Sequence, residues 1–137
     1  MKYTLIDHTA DLGIHVIGNS PKELFTNAAQ AMIDQITDSS TLKDSGNHRL
    51  HVEGADWTDL MINWLRETLF LWTGKEILVK TVSVSHLSEH EILADLGFDR
   101  YAPDRHIIKT EIKAVTYHQA KVKRTRSGWE AKIIFDV

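Results

Sequence analysis

The tetrad Ser20-Pro21-Lys22-Glu23 constrains this chain more than any other stretch. A serine hydroxyl there can accept a backbone N–H at a helix start, proline suits the first helical position, and glutamate three residues after the serine completes a capping box. The residues after it have the helical period. Leu24, Phe25, Ala28, Ala29, Met32, Ile33 and Ile36 recur at spacings of three and four, so one apolar stripe is expected to be buried. From Asp38-Ser39-Ser40 through Lys43-Asp44-Ser45-Gly46 the chain turns polar and reads as a surface loop. A second helix comes next, capped by Asp56 or Asp59, with a bulky face of Trp57, Leu60, Met61, Trp64, Leu65, Leu69 and Trp72, and with Gly74 as its C-terminal cap. Aromatic side chains bury on the order of 150 to 250 Å² each, so these three tryptophans are expected to anchor the core and not to stack on a cofactor.

Around the two helices the period changes to two. Residues 3–6 and 12–17 read as short strands on either side of a DHTAD turn at positions 7–11, and residues 48–53 as a third. Residues 77–87 and 91–96 suggest an antiparallel return, and residues 97–105 a loop. Residues 110–117, 119–125 and 129–135 suggest strands joined by tight turns at His118 and Ser127-Gly128. Helices in the first half and an antiparallel meander in the second make the class α+β: two amphipathic helices packed against or between largely antiparallel sheets. A length of 137 residues leaves room for a single domain, 1–137, with one core.

Composition narrows the chemistry. A formal net charge of −3 gives no overall attraction to nucleic acid, so any such contact would need a local patch. The chain has no cysteine, which removes disulfides, a thiol nucleophile and thiolate zinc sites and leaves oxygen and imidazole as site groups. No charged leader precedes an apolar stretch, and no uncharged run approaches the ~20 residues of a membrane span. A soluble cytoplasmic protein without a membrane partner is expected. Paired carboxylates and a histidine could serve a hydrolase, but no nucleophile elbow, phosphate-cradling glycine loop or Ser–His constellation accompanies them.

The chemically suggestive residues lie at the two ends. DHTAD supplies Asp7 and Asp11, and the last strand closes on Asp136-Val137, whose terminal carboxylate is expected to be held in the fold. If Asp11 converges there, carboxylates share one spot, and like charges so close call for a cation or a shared proton. Asp7 suits a turn cap better. His8 fits either a supporting partner of the metal or a hydrogen-bonded turn histidine. His48 and His51 lie three apart on a strand and face opposite sides, and His86 and His90 flank a turn without an evident acidic companion. Lys121, Lys123, Arg124 and Arg126 form a basic ribbon that could grip RNA phosphates, although no aromatic interleaves them and a solvated strand surface explains them as well.

DHTADLGI, PKELFTNAAQAM, DLMINWLRETLFL, EIKAVTYH and the closing GWEAKIIFDV, in this order and over almost the whole chain, resemble the archease family. The resemblance implies an accessory protein without a reaction of its own. It would activate an RtcB-type RNA ligase in tRNA splicing by promoting the ligase's GTP-dependent guanylylation and repeated turnover. It further implies a divalent ion (calcium, magnesium or manganese) on Asp11, Asp136 and an oxygen of Val137, with Lys113 as a functional lysine. GTP would be used by the ligase and tRNA met through it. An alternative is a tRNA-binding module or a chaperone of a tRNA-modifying enzyme such as a methyltransferase. The chain departs from the family pattern at Gly97-Phe98-Asp99-Arg100-Tyr101, where related sequences favour a Gly-Glu-Pro-like turn.

Overall fold

The computed structural model describes residues 2–8 and 11–137, with Asp7 and His8 described through their backbone alone. The described elements run β1 (Tyr3–His8), β2 (Asp11–Gly18), α1 (Pro21–Ile36), a 3₁₀ turn (Ser39–Thr41), β3 (Gly46–Glu53), α2 (Trp57–Lys75), β4 (Ile77–Leu87), β5 (Glu91–Arg100), β6 (Ala114–Thr125) and β7 (Gly128–Asp136). They build two antiparallel sheets, one ordered β1-β2-β7-β6 and the other β3-β5-β4. The second half of the chain is therefore not one meander: β4 and β5 join β3, and β6 and β7 cross back to join the first two strands.

Both helices lie between the sheets. α1 packs on β2 and β4, while α2 packs on β6 from one side and on β3 and β4 from the other. A helix in a middle layer must be apolar on two faces, and α1 buries Leu24, Phe25, Asn27, Ala28, Ala29, Ala31, Met32, Ile33 and Ile36, more than the single stripe expected. Two glycines set the helices close to the strands. A Cβ on Gly18 would sit 2.6 Å from the Leu24 nitrogen of α1, and one on Gly54 the same distance from the Leu60 nitrogen of α2.

The caps agree with the sequence at one end and not at the other. Ser20 Oγ accepts the Glu23 N–H at 3.1 Å, and Asp56 takes the equivalent place at α2, accepting from Asp59, whose carboxylate accepts in turn from Ala55. α2 runs through Gly74 to Lys75, and Glu76 adopts the left-handed cap conformation at φ 54°. Trp64 is the central tryptophan, fully buried with its indole N–H on the Phe25 carbonyl at 3.0 Å. Trp57 and Trp72 are half-buried, edge-on to Trp129 and Tyr101 respectively.

Two more expectations change. β5 continues to Arg100, so residues 97–100 are strand, not loop. Residues 114–125 are one strand on one partner. Between Thr116↔Ile134 and Lys121↔Lys132 β6 advances five residues while β7 moves two, and Gln119 takes a left-handed φ of 52°. The polar stretch around His118 is thus a bulge in a continuous strand. Among the described residues no helix is long and apolar enough to cross a membrane.

Candidate functional site

β2 starts at Asp11, β7 ends at Asp136 and β6 starts at Ala114, and pairing sets these three residues in one row across the sheet. Directly opposed residues of antiparallel strands share a face, with Cβ atoms about 4.5–5.5 Å apart. The carboxylates of Asp11 and Asp136 therefore leave the same face side by side. The next row, Leu12, Phe135 and Val115, points the other way into the core, where Phe135 and Val115 are buried. The acidic pair stands on a rigid, packed strand end.

Lys113 enters from the segment that crosses between the sheets. That segment is tied to the end of α1, since Thr37 Oγ1 donates to the Ile107 carbonyl at 2.9 Å and the Lys109 N–H donates to Ile36 at 2.7 Å. The Lys113 N–H donates to the Asp136 carbonyl at 2.7 Å. Its side chain is exposed and lines, with Arg66, Phe70 and Thr73 of α2, a cleft of about 360 Å³. Phe70 is 52% exposed, an aromatic that the helical pattern does not require and that sequence reading missed. A neighbouring strut fixes α2 to this strand end. Arg66 Nε donates to the Val115 carbonyl at 3.0 Å and its guanidinium lies 4.7 Å from the Tyr117 ring, while the Tyr117 hydroxyl donates to Asp59. That hydrogen bond lowers the Asp59 pKa and raises that of Tyr117.

The facing pair tests the fit of a metal. Two carboxylates directly opposed on one face are destabilising by themselves, and their oxygens are the donors a hard cation takes. Among the described residues no group of three or more His, Asp or Glu side chains is placed to hold an ion. Half-buried Val137 comes directly after Asp136 and could add a backbone oxygen. The set fits a hard divalent ion by donor type, with the rest of its coordination left to water or a partner. The side chains of Asp7 and His8, and Thr9 and Ala10, lie outside the described residues, and with them the turn-cap reading of Asp7 and both readings of His8.

Other polar candidates sort differently. His86 meets Glu91 at 3.2 Å and His90 meets Glu89 at 3.6 Å. Both therefore have the acidic companion that the sequence did not make evident, and Glu91 is shared, since His51 meets it at 3.2 Å from the other side of β5. The largest surprise is Asp99, inside the stretch read as a loop. It is 1% exposed and accepts from the Lys43 N–H, Ser45 Oγ, the Arg105 guanidinium and His106 Nε2. Its partners lie up to 56 residues away, and no local pattern announces them.

Residues 3–137 match the archease protein family (MTH1598/TM1083). A protein archease from Methanosarcina acetivorans is 35% identical over 99% of this chain and 96% of its own length, and one from Methanopyrus kandleri is 35% identical with both chains covered in full. The solution structure of Methanobacterium thermoautotrophicum protein 1598 superposes with a TM-score of 0.81 at 26% identity, covering 99% of both chains.

Proposed function

Because this chain belongs to the archease family, we propose that it is a non-catalytic accessory protein that activates an RtcB-type RNA ligase in tRNA splicing. The observation that carries the proposal is the cross-strand placement of Asp11 beside Asp136, with Lys113 hydrogen-bonded to the same strand end. Ligase guanylylation is a phosphoryl transfer, which depends on positioning and on neutralising phosphate charge. Asp11, Asp136 and Val137 would hold a divalent ion, which when bound supplies that kind of charge neutralisation. The residues of this chain do the rest. The two carboxylates present oxygens at an exposed edge, the buried row behind them prevents retreat, and Lys113 offers a cation for a ligase carboxylate or a phosphate oxygen. Exposed Phe70 beside Lys113 would give the partner an apolar anchor. Binding that favours the competent ligase conformation accelerates every cycle, so substoichiometric amounts should suffice. GTP is the ligase's substrate in this scheme, and tRNA is met through the ligase.

The test is multiple-turnover ligation of RNA ends by a matched RtcB-type ligase, with and without one tenth of an equivalent of this protein. Many product molecules per ligase only when the protein is present is the expected result. Equal product in both reactions would refute the proposal.

A further inference from the structure

The outward face of the β1-β2-β7-β6 sheet carries its charge unevenly. Residues 114–137 hold five Lys and Arg against two Asp and Glu, a local +3 in a chain whose net charge is −3. Strand pairing divides the basic ribbon seen in the sequence and adds members to it. Lys121 faces Lys132 across the β6–β7 pair, Lys123 faces Glu130, and His15 faces Lys132 from β2. With Gln119 these side chains line a groove of about 400 Å³. Arg124 faces Trp129 and takes no part in the lining.

Glu130 is the one acid lining the groove among the described residues, and Lys123 at 3.1 Å and His15 at 3.2 Å already share it. Lys123 first and His15 after it hold the Glu130 pKa below its usual value, so it stays ionised and committed to them. Lys132 Nζ donates to the neutral Gln119 Oε1 at 2.9 Å, and Lys121 enters no ion pair among the described residues. Lysines set directly opposite each other repel, so the face gains when an anion lies between them. Lys123 lies about 7 Å beyond Lys121 along the strand, so the cations repeat as phosphates repeat along a chain. Among the described residues the lining has no Phe, Tyr or Trp to stack a base and no bulky apolar side chain to anchor a protein.

We propose that this groove binds the phosphodiester backbone of single-stranded RNA, without reading its bases, through Lys121, Lys132 and Lys123. The site lies on the same sheet face as Asp136 but four residues, roughly 13 Å, along β7. It does not depend on the ligase or on a metal ion.

The experiment is fluorescence anisotropy of a labelled 20-residue oligouridine titrated with the whole protein at 50 and 200 mM salt. Contact with about three phosphates predicts a fall in affinity of roughly tenfold to twentyfold between the two salts. The double variant Lys121→Glu, Lys132→Glu should lose at least tenfold at low salt, while Lys43→Glu, Lys75→Glu, an equal charge change at exposed lysines elsewhere, should bind as the wild type does. Circular dichroism confirms that each variant is folded. Absence of wild-type binding at 50 mM salt, or equal loss in both double variants, overturns the proposal. So does polyglutamate binding more tightly than the RNA, which would assign the groove to an acidic protein.

Discussion

Asp99 shows how much one buried carboxylate can organise. Burial would raise its pKa, but hydrogen bonds from Lys43, Ser45, Arg105 and His106 outweigh that effect and hold it well below the usual carboxylate range. His106 Nδ1 accepts the Ala102 N–H at 2.9 Å, so Nε2 carries the proton offered to Asp99, and the ring stacks on Tyr101. One carboxylate thus pins the chain before β3, the end of β5 and the start of the crossing that delivers Lys113 to Asp136. Asp99→Asn removes the charge that pairs with Arg105 and sets an NH2 donor among groups that all donate to this side chain, so it is expected to cost about 3 kcal/mol in urea unfolding. The sign with pH comes from the lowered pKa. The folded state binds this proton less readily than the unfolded state, whose carboxylate titrates near 4. The stabilisation is complete above that range and is lost as pH falls below it. Wild-type stability should drop between about pH 5 and pH 2, and Asp99→Asn should show a shallower drop over the same window. A parallel pH dependence in the two proteins would contradict this assignment.

At the scale of elements, the strongest local signals govern what they touch. Ser20-Pro21 starts α1 because capping chemistry acts within one turn, whereas the end of α2 is set by how the chain enters β4. Gly74 is the better local candidate for the cap, yet Glu76 accepts the left-handed conformation, and its N–H reaches the Leu71 and Trp72 carbonyls. A residue with a Cβ suffers steric strain there that glycine does not. Glu76→Gly is expected to stabilise the protein by roughly 0.5–1 kcal/mol and to raise Tm by a few degrees in a thermal scan. A lowered Tm would mean that the glutamate side chain holds a contact worth more than the strain. The length of β6 escapes local reading for a related reason. Its bulge around Tyr117-His118-Gln119 is polar and resembles a turn locally, while the partner strand that keeps it straight is known only from the fold.

For the whole molecule, α+β is legible because helical and alternating periods are local properties. The division into two sheets with the helices between them is not, since nothing in β4 or β6 names its partner. The candidate site divides the same way. Asp11 and Asp136 are visible as acidic residues at the ends of short strands, and register brings them together, but exposed Phe70, the buried hub at Asp99 and the pairing of Lys121 with Lys132 need coordinates. On the proposed function, the acidic pair acts on the ligase and is not a structural feature of the strand end. Asp136 is exposed at a strand end, and Asp136→Ala is expected to stay within about 1 kcal/mol of the wild type in stability. The deciding measurement is guanylylation of a matched RtcB-type ligase with labelled GTP and manganese, adding substoichiometric wild-type, Asp11→Ala or Asp136→Ala protein. A large rate increase from the wild type alone, with both variants folded, is the predicted result. Stimulation by either variant at the wild-type level would contradict the account.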